Sequence, residues 1–291
     1  MSRTCVFLTM EDPEGFFVYD QLTFEPLREL GWNVLEIPWT DSGARWKDFD
    51  AVVIRSTWDY QNAPERFMET LNEIEDSGTP LFNPLRICQW NLDKHYLQDL
   101  RGRGVPTVPT KWLKCLDEDR LAELFSNGSG SRLVVKPTIG ANSDGLFVLD
   151  ADDAAQCAAA VMEYSTRPLM VQPFIQSITA KGEYSLFYFG GSYSHAILKQ
   201  PKQGDFRVQE EHGGTIQATT VSESLKQVAA LALNAVGETL LYARVDIVIL
   251  DDGSPAVTEL ELIEPSLYFS YDDDSPRRFA EALNRTAKHA N

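Results

Sequence analysis

Two apolar runs near the end of the chain, separated by a turn sequence, constrain the fold more than any other feature. The runs are ARVDIVIL (243–250) and AVTELELI (256–263), and the residues between them, DDGSP (251–255), favour a tight turn. The sequence therefore predicts two strands that pair as an antiparallel hairpin. The many apolar residues in both runs indicate that this hairpin belongs to a protein core.

The predicted hairpin also concentrates charge on one face. Alternate residues of a strand face the same side, so Arg244 and Asp246 project together, as do Glu259 and Glu261. Carboxylates this close repel one another unless a cation neutralises them, and Mg²⁺ prefers oxygen ligands that it commonly shares with substrate phosphates. We therefore predict a magnesium site at Asp246, Glu259 and Glu261. The alternative is the hydrated face of an ordinary hairpin, which the apolar neighbours disfavour.

A glycine-containing segment, VVKPTIGANSDGLFVL (134–149), joins two further predicted strands. Gly140 and Gly145 allow backbone angles and a close approach that a side chain would prevent. Successive N–H groups in such a loop can hold phosphate oxygens, and Lys136 adds a positive charge. The segment predicts a phosphate-binding loop, although a glycine hairpin with a solvated lysine would have the same pattern.

A third segment, KQPKQGDFRVQEEHGGTIQ (199–217), is basic, polar and rich in glycine. Long glycine-rich loops between strands often act as lids over a site. Basic groups on a lid, here Lys199 and Arg207, can neutralise a phosphoryl group during its transfer. An ordinary solvated loop is the alternative.

The first ninety residues alternate strand and helix patterns, which favours a parallel α/β layer. Strands are predicted at 5–10, 33–39, 51–56 and 81–83, and helices at 20–30 and from Pro64. Ligands of such sheets bind at the carboxyl ends of strands. Arg55, Ser56 and Asp59 follow the run AVVI at such an end, with Arg55 a candidate for a substrate carboxylate and Asp59 for an ammonium group. A structural ion pair between Arg55 and Asp59 is the alternative.

Strand patterns dominate from residue 132 onward, and helices are predicted at 90–100, at 222–240 and from Ser275. A length of 291 residues and a hydrophobic fraction of 43% allow two or three packed units. The formal net charge of −17 argues against non-specific nucleic-acid binding. The chain has no apolar run long enough for a membrane span, so we expect a cytoplasmic protein.

Other common sites are not indicated. The four cysteines are far apart, which predicts neither a zinc site nor a disulfide framework. The sequence lacks the motifs of serine hydrolases, zinc peptidases and Walker-type nucleotide sites. His95 and His195 stand outside any catalytic pattern, and we predict structural or surface roles for both.

These segments stand in the order found in the ATP-grasp superfamily, and the resemblance covers about residues 90–270. The chain most resembles the glutathione-synthetase-like and D-alanine–D-alanine-ligase-like carboxylate–amine ligases. It is also similar to the ATP-grasp ligases that form D-cycloserine, in RSTWDY (55–60) and ELELIEPSLYF (259–269). The implied fold is α/β (α+β). It has a parallel α/β domain at 1–92, a small central lid subdomain at 93–170 and an antiparallel-sheet domain at 171–291.

The resemblance also implies which residues bind ATP. Lys94, Lys136 and Lys199 would contact phosphates, and Glu183 would hold the ribose. The loop that closes over the phosphates would include Gly140, Ala141, Asn142 and Ser143. The hinge whose backbone reads the adenine edge would be Gln172, Pro173, Phe174 and Ile175.

Other positions would serve the reaction itself. Arg207 resembles the lid arginine, Arg244 resembles the arginine that stabilises the oxyanion, and Ser266 with Tyr268 would lie near the acceptor substrate. The family usually has asparagine where this chain has Glu261, and an extra carboxylate would suit either one or two Mg²⁺ ions.

The activity implied is an ATP- and magnesium-dependent ligase that joins a small carboxylate substrate to an amine through an acyl-phosphate, releasing ADP and phosphate. An intramolecular cyclising ligase and a phosphotransferase are alternatives on the same fold, and a non-catalytic ATP sensor is a third. The resemblance also implies a homodimer, whereas the residues alone leave the oligomeric state open.

Overall fold

The protein is described here by a computed structural model, which covers residues 3–126, 131–140, 144–202 and 213–289. Its first sheet has four parallel strands in the order β2-β1-β3-β4. The strands are β1 (Arg3–Thr9), β2 (Trp32–Pro38), β3 (Ala51–Ile54) and β4 (Leu81–Phe82). The helices of this part are α1 (Phe24–Glu29), α2 (Pro64–Asp76) and α3 (Leu85–Asn91). The predicted parallel layer is confirmed.

The second sheet is antiparallel, with strand order β5-β8-β6-β7. Its strands are β5 (Lys111–Leu113), β6 (Arg132–Pro137), β7 (Phe147–Asp150) and β8 (Leu169–Pro173). The nearby helices are α4 (Tyr96–Gly102), which precedes the sheet, α5 (Glu118–Ser126) and α6 (Ala154–Glu163). The predicted domain boundary between residues 170 and 171 falls inside β8, so a boundary after Pro173 would keep this sheet in one unit.

The third sheet is antiparallel and has the order β11-β10-β9-β12-β13. Its strands are β9 (Glu183–Phe189), β10 (Ser192–Gln200), β11 (Thr215–Ala218), β12 (Tyr242–Ile249) and β13 (Pro255–Glu261). The helices are α7 (Ile178–Lys181), α8 (Glu223–Val236) and α9 (Ser275–His289). β12 and β13 form the predicted hairpin.

Two predicted helices differ from the observed ones for local reasons. The helix predicted to end at residue 240 ends at Val236, because Gly237 adopts a left-handed conformation with φ +78°. The helix predicted at 90–100 is two short helices, α3 and α4. Between them the Asp93 side chain accepts a hydrogen bond from the His95 amide (2.9 Å), which favours a turn rather than a continuous helix.

A shared core joins the first sheet to the third. Phe7 and Val53 of the first sheet pack with Phe187 and Tyr242 of the third sheet and with Phe279 of α9. A second cluster packs α4 and α8 against the other face of the third sheet. Among the described residues, no helix combines the length and the apolar character needed to cross a bilayer.

Candidate active site

A cavity of about 250 Å³ lies where the three sheets meet. Strands of the second and third sheets, together with the segments that follow β1 and β3 of the first sheet, contribute to its wall. Fifteen of the residues predicted from the sequence line this cavity: Lys94, Lys136, Gly140, Gln172, Pro173, Phe174, Ile175, Glu183, Lys199, Arg244, Asp246, Glu259, Glu261, Ser266 and Tyr268. Segments distant in the sequence therefore converge on one site.

The β12–β13 hairpin brings its charged residues together in the predicted way. Arg244 lies opposite Glu261, and Asp246 lies opposite Glu259, in the antiparallel register. One carboxylate oxygen from each of Asp246, Glu259 and Glu261 lies within 4.8 Å of the other two. Three such oxygens facing one point are suitable ligands for a hard divalent cation such as Mg²⁺.

Asp246 is the most completely paired of the three acids. Its Oδ2 lies 3.0 Å from Arg244 Nη2 and 3.3 Å from Lys199 Nζ, and its Oδ1 accepts from Ser185 Oγ at 2.5 Å. Burial alone would raise the pKa of Asp246, but the charges of Arg244 and Lys199 outweigh it and hold the pKa below its ordinary value. A metal at Asp246 would compete with these partners.

Glu259 joins the hairpin to the two lysines that were predicted to contact phosphate. Its Oε1 lies 2.9 Å from Lys136 Nζ and 3.9 Å from Lys94 Nζ. Burial raises the pKa of Glu259, but the two lysines outweigh that effect and lower it overall. Lys94 Nζ also donates to the Gly140 carbonyl oxygen at 2.7 Å. This contact ties the turn between α3 and α4 to the glycine-containing loop.

The negative charge of Glu261 is compensated less by neighbouring cations than the charges of Asp246 and Glu259. It pairs with Arg244, while Asp246 and Glu259 are negatively charged neighbours. Burial, followed by these two carboxylates, raises the pKa of Glu261 to about 7. A cation bound here would therefore stabilise the ionised form of Glu261 more than that of its neighbours.

Lys199 is buried between two acids on the third sheet. Its Nζ lies 2.7 Å from Glu183 Oε2 and 3.3 Å from Asp246 Oδ2. Burial lowers the pKa of Lys199, but Asp246 and Glu183 more than offset it, so the pKa is raised and the ammonium keeps its charge. Glu183 also accepts from Thr258 Oγ1 at 2.8 Å.

The predicted hinge lies at the end of β8. The Gln172 side chain donates to Thr110 Oγ1 (2.9 Å), and the Phe174 amide donates to the Arg132 carbonyl oxygen (3.1 Å). Within the described part of the chain, the Ile175 amide makes no hydrogen bond. Six apolar residues line the cavity near this hinge, and an apolar wall is suitable for a planar nucleotide base. They are Val108, Val134, Ile175, Ile178, Val248 and Leu260.

Three predicted substrate residues do not line the cavity. Arg55 is buried, and its Nη2 lies 2.8 Å from Asp20 Oδ1 and 3.2 Å from the Pro265 carbonyl oxygen. Asp59 instead accepts from Trp39 Nε1 at 2.7 Å, so the ion pair between Arg55 and Asp59, which was the alternative to a substrate role, does not form. The contact with the Pro265 carbonyl oxygen places Arg55 next to the Pro265–Ser266 loop, and the ion pair with Asp20 holds it there.

Ser266 and Tyr268 do face the cavity. The Ser266 carbonyl oxygen accepts from Arg244 Nη1 at 3.3 Å, and Tyr268 adopts a left-handed backbone conformation with φ +46°. A non-glycine residue in this region is uncommon and often marks a functional loop. Ser56, by contrast, is buried outside the lining. Ala141, Asn142, Ser143 and Arg207 lie outside the described residues.

Part of the cavity wall was not predicted from the sequence. Phe16, Trp58, Tyr60 and Glu264 also line the cavity. Trp58 and Tyr60 belong to the RSTWDY segment, and Glu264 belongs to ELELIEPSLYF, so both segments carried a signal. Nothing in the sequence indicates which of their residues point inward, because their orientation depends on how the first sheet packs on the hairpin.

The two histidines lie where a structural or surface role was predicted. The His195 ring is buried and stacks on Phe187 at a centroid distance of 4.3 Å. The His95 ring is half exposed, stacks on Trp112 at 4.3 Å and contacts Asp93. Neither histidine lines the cavity.

The chemistry of the site follows from its charge. Four cations, Lys94, Lys136, Lys199 and Arg244, face it together with the hairpin acids. Fixed cations in a partly enclosed cavity can hold the phosphates of a nucleotide and stabilise negative charge that develops during a reaction. The site has the components needed for phosphoryl transfer from a nucleotide bound with a divalent metal.

Family comparisons match both parts of the chain. Residues 5–83 match the family described as the N-terminal domain of D-cycloserine synthetase DcsG. Residues 105–266 match the ATP-grasp domain of prokaryotic glutathione synthetase. The second match covers more than half of the chain and includes most of the predicted ATP-binding residues.

Individual relatives agree with these families. The cycloserine biosynthesis protein DcsG of Streptomyces lavendulae is 34% identical over 278 residues, which is 91% of this chain and 92% of that protein. A probable alpha-L-glutamate ligase of Sodalis glossinidius is 26% identical over 75% of this chain and 74% of its own. The crystal structure of D-cycloserine synthetase DcsG superposes with a TM-score of 0.85 at 31% identity, covering 98% of this chain and 99% of that one.

Proposed function

The chain belongs to the ATP-grasp ligases, and we propose that it activates a small amino-acid-like carboxylate as an acyl-phosphate. An amine then attacks this acyl-phosphate. The enzyme is an ATP-dependent carboxylate–amine ligase that forms a C–N bond. The observation that carries the proposal is the convergence of four cations and the hairpin acids on one cavity. The products expected are an amide, ADP and phosphate.

In the first step, the substrate carboxylate attacks the γ-phosphate of ATP. Lys136 and Lys94 are held by Glu259, and Lys199 is held by Glu183 and Asp246, so their charges are fixed before ATP binds. Such preorganised positive charge stabilises the phosphoryl group during its transfer, and the lysine side chains do not need to rearrange first. Arg207 is proposed to add a further positive charge to the same group.

ATP-grasp ligases bind ATP together with Mg²⁺. When bound, the ion would supply positive charge that offsets the negative charge of the phosphates. The carboxylates of Glu259 and Glu261 fit such an ion, because each has fewer protein partners than Asp246. We propose that they hold the first ion, and that Asp246 would be a ligand of a second ion.

In the second step, the amine attacks the activated carbonyl and phosphate leaves. Arg244 is proposed to stabilise the oxyanion, because its guanidinium is held in place by Asp246, Glu261 and the Ser266 carbonyl oxygen. Removing one oxyanion donor costs roughly 10²–10³ in kcat. Ser266 and Tyr268 would form part of the acceptor site.

Intramolecular cyclisation is a second candidate, in which the acid and the amine belong to one molecule. The observation that favours it is the match of residues 5–83 to the N-terminal domain of D-cycloserine synthetase. This part of the chain supplies Phe16, Trp58 and Tyr60 to the cavity wall. The chemistry of activation would be the same.

A product assay tests both candidates. The enzyme would be incubated with ATP, Mg²⁺ and a pool of amino acids, and phosphate, ADP and new compounds would be measured by mass spectrometry. A product with the mass of two substrates less water supports intermolecular ligation, whereas loss of water from one substrate supports cyclisation. AMP with pyrophosphate would contradict the acyl-phosphate, a phosphorylated product would indicate a phosphotransferase, and ATP binding without turnover would indicate a sensor.

A homodimer remains a prediction from the resemblance to related ligases. Size-exclusion chromatography with light scattering would test it, because a mass near 32.7 kDa would contradict a dimer.

A further inference from the structure

One part of the cavity wall is not used by ATP or metal binding as proposed above. Phe16 follows β1, and Trp58 and Tyr60 follow β3, so these three aromatic residues come from the carboxyl ends of adjacent parallel strands. Glu264, which follows β13, lies beside them. The resulting patch, defined by Phe16, Trp58, Tyr60 and Glu264, is called here the aromatic–acid patch.

The cavity lining has more acidic side chains than basic ones. Among the described residues, its lining carries six carboxylates but only four cations. The carboxylates are Asp144, Glu183, Asp246, Glu259, Glu261 and Glu264, and the cations are Lys94, Lys136, Lys199 and Arg244. Four of the acids have ion pairs with these cations. Asp144 is exposed to solvent, which leaves Glu264 as the partly buried acid that has no cationic partner within the described part of the chain.

The environment of Glu264 holds the side chain in place but, among the described residues, pairs it with no cation. Tyr60 donates a hydrogen bond to its carboxylate, and Trp58 Nε1 donates to its backbone carbonyl oxygen at 2.9 Å. Burial, followed by the charge of Glu261, raises the pKa of Glu264 to about 8. The acid is therefore largely protonated near pH 7 while no cation is beside it, and a cationic ligand at this place would favour the ionised carboxylate.

The aromatic rings favour a particular kind of cation. The rings of Phe16 and Trp58 lie 5.3 Å apart, and both face the cavity. Aromatic faces attract ammonium groups, whereas a divalent metal needs several oxygen ligands that this patch does not offer. The patch therefore combines one carboxylate with rings that exclude water, which is the chemistry that recognises an organic ammonium ion.

We propose that the aromatic–acid patch binds the ammonium group of an amino-acid-like substrate, with Glu264 as its counter-ion. This inference rests on the proposed function. It implies that the substrate of the ligase carries a free primary amine. The bound ammonium would lie beside Glu264 Oε atoms and over the ring of Trp58 or Phe16. Glu264 is thus a substrate-binding residue that determines specificity.

Binding measurements with defined probes test the inference directly. The full-length protein, saturated with ADP and Mg²⁺, would be titrated by calorimetry with D-serine, D-alanine, L-glutamate and glycine, and with the N-acetyl derivative of each. We expect at least one free amino acid to bind, and its N-acetyl derivative to bind roughly 10- to 100-fold more weakly, as for loss of a charged hydrogen bond.

The variant Glu264→Gln keeps the shape of the side chain but removes its charge. It should weaken binding of the free amino acid by a similar factor while changing ATP affinity by less than about twofold. Glu75→Gln, at an exposed position on α2, is a matched control expected to behave as the wild type. If Glu264→Gln does not fold, Glu264→Asp, which keeps the charge but shortens its reach, should give a smaller loss in the same direction.

The inference is overturned if Glu264→Gln binds the amine as tightly as the wild type, if N-acetylation has no effect, or if none of the four amino acids binds. A parallel assay of ADP release separates this result from the wider proposal. Absence of ADP release with every substrate would contradict the ligase function, whereas amine binding through Glu264 would still be measured independently.

Discussion

Glu261 shows at the scale of a single residue how neighbouring charges set the properties of the site. Its carboxylate lies near Asp246 and Glu259, and burial together with these two acids raises its pKa to about 7. Arg244 compensates only part of this charge. The resemblance leads one to expect an asparagine at this position, and we propose that the additional carboxylate serves as one more charged ligand for a metal.

Replacing Glu261 with asparagine tests that role. Glu261→Asn keeps an oxygen ligand but loses a negative charge, so the Mg²⁺ concentration for half-maximal ADP release should rise roughly 10-fold. The measurement is a magnesium titration at saturating ATP, with Glu75→Gln as the control. An unchanged magnesium requirement would show that Glu261 does not coordinate the ion.

His195 gives a prediction about pH and stability. Burial lowers its pKa from the ordinary value of 6.5 to about 4. Between these values the unfolded chain binds a proton at this histidine and the folded chain does not, so acidification favours unfolding. The free energy of unfolding should therefore decrease by about 3 kcal/mol from this group as the pH falls from about 6.5 to about 4.

Urea unfolding of the wild type and of His195→Gln, at pH 7.5 and pH 4.5, would measure this contribution. The variant lacks the titrating group, so it should lose less stability than the wild type over this interval, by about 2–3 kcal/mol. Equal losses in the two proteins would mean that His195 can be protonated in the folded state.

At the scale of elements, the pairing of β9 with β10 positions Glu183 and Lys199 opposite each other. Gly182, which precedes β9, has a φ of +75°, and a Cβ atom there would lie 2.4 Å from the Lys199 carbonyl oxygen. This contact is with backbone, which cannot move aside without disturbing the strand pair. The position of Lys199 in the cavity therefore depends on the absence of a side chain at residue 182.

The variant Gly182→Ala should destabilise the protein and weaken ATP binding. Gly191→Ala is a matched control, because Gly191 has a similar φ of +79° but open space around it. Both variants place a side chain at a positive φ, and Gly182, with a ψ of −168°, lies in a region that almost only glycine adopts. Gly182→Ala should therefore cost at least about 2 kcal/mol more than Gly191→Ala, from this strain together with the clash. Denaturant unfolding and ATP calorimetry would measure the difference, and equal effects at the two glycines would contradict this account.

At the scale of the whole molecule, a few buried polar groups fix the first sheet against the third. Asn83 donates to the carbonyl oxygens of Tyr242 (2.9 Å) and Leu262 (2.8 Å) and accepts from the Leu241 amide (2.8 Å). The Tyr242 hydroxyl lies 2.7–3.1 Å from three carbonyl oxygens, although it can donate to only one at a time. These contacts determine where the aromatic residues of the first sheet meet the hairpin.

Asn83→Leu removes all three hydrogen bonds of the buried amide and leaves their partners unpaired. Because each buried unsatisfied group costs about 1–3 kcal/mol, the free energy of unfolding should fall by about 3 kcal/mol or more. Asn72→Leu, which loses one exposed contact to the Met68 carbonyl oxygen, should change stability by no more than about 0.5 kcal/mol. A loss at Asn83 as small as that at Asn72 would show that the two sheets are held together by apolar packing alone.

The sequence predicted those features that depend on neighbouring residues. Alternation along 243–250 and 256–263 is enough to place Arg244, Asp246, Glu259 and Glu261 on one face, because side chains alternate in any strand. The same local reasoning predicted the parallel first layer. It was less successful at the ends of elements, where Gly237 and the Asp93 turn stopped helices that the apolar pattern would have extended.

The partners of residues that are distant in the sequence depend on tertiary packing. Asp20 pairs with Arg55, 35 residues away, and Glu264 meets Trp58, 206 residues away. Periodicity within a segment carries no information about such pairs, since they depend on how complete sheets pack. Local patterns in the sequence were therefore enough to identify the ATP-grasp family and the charged hairpin. Packing of the first sheet against that hairpin set which acids pair with cations and which one, Glu264, faces the cavity with no cationic partner among the described residues.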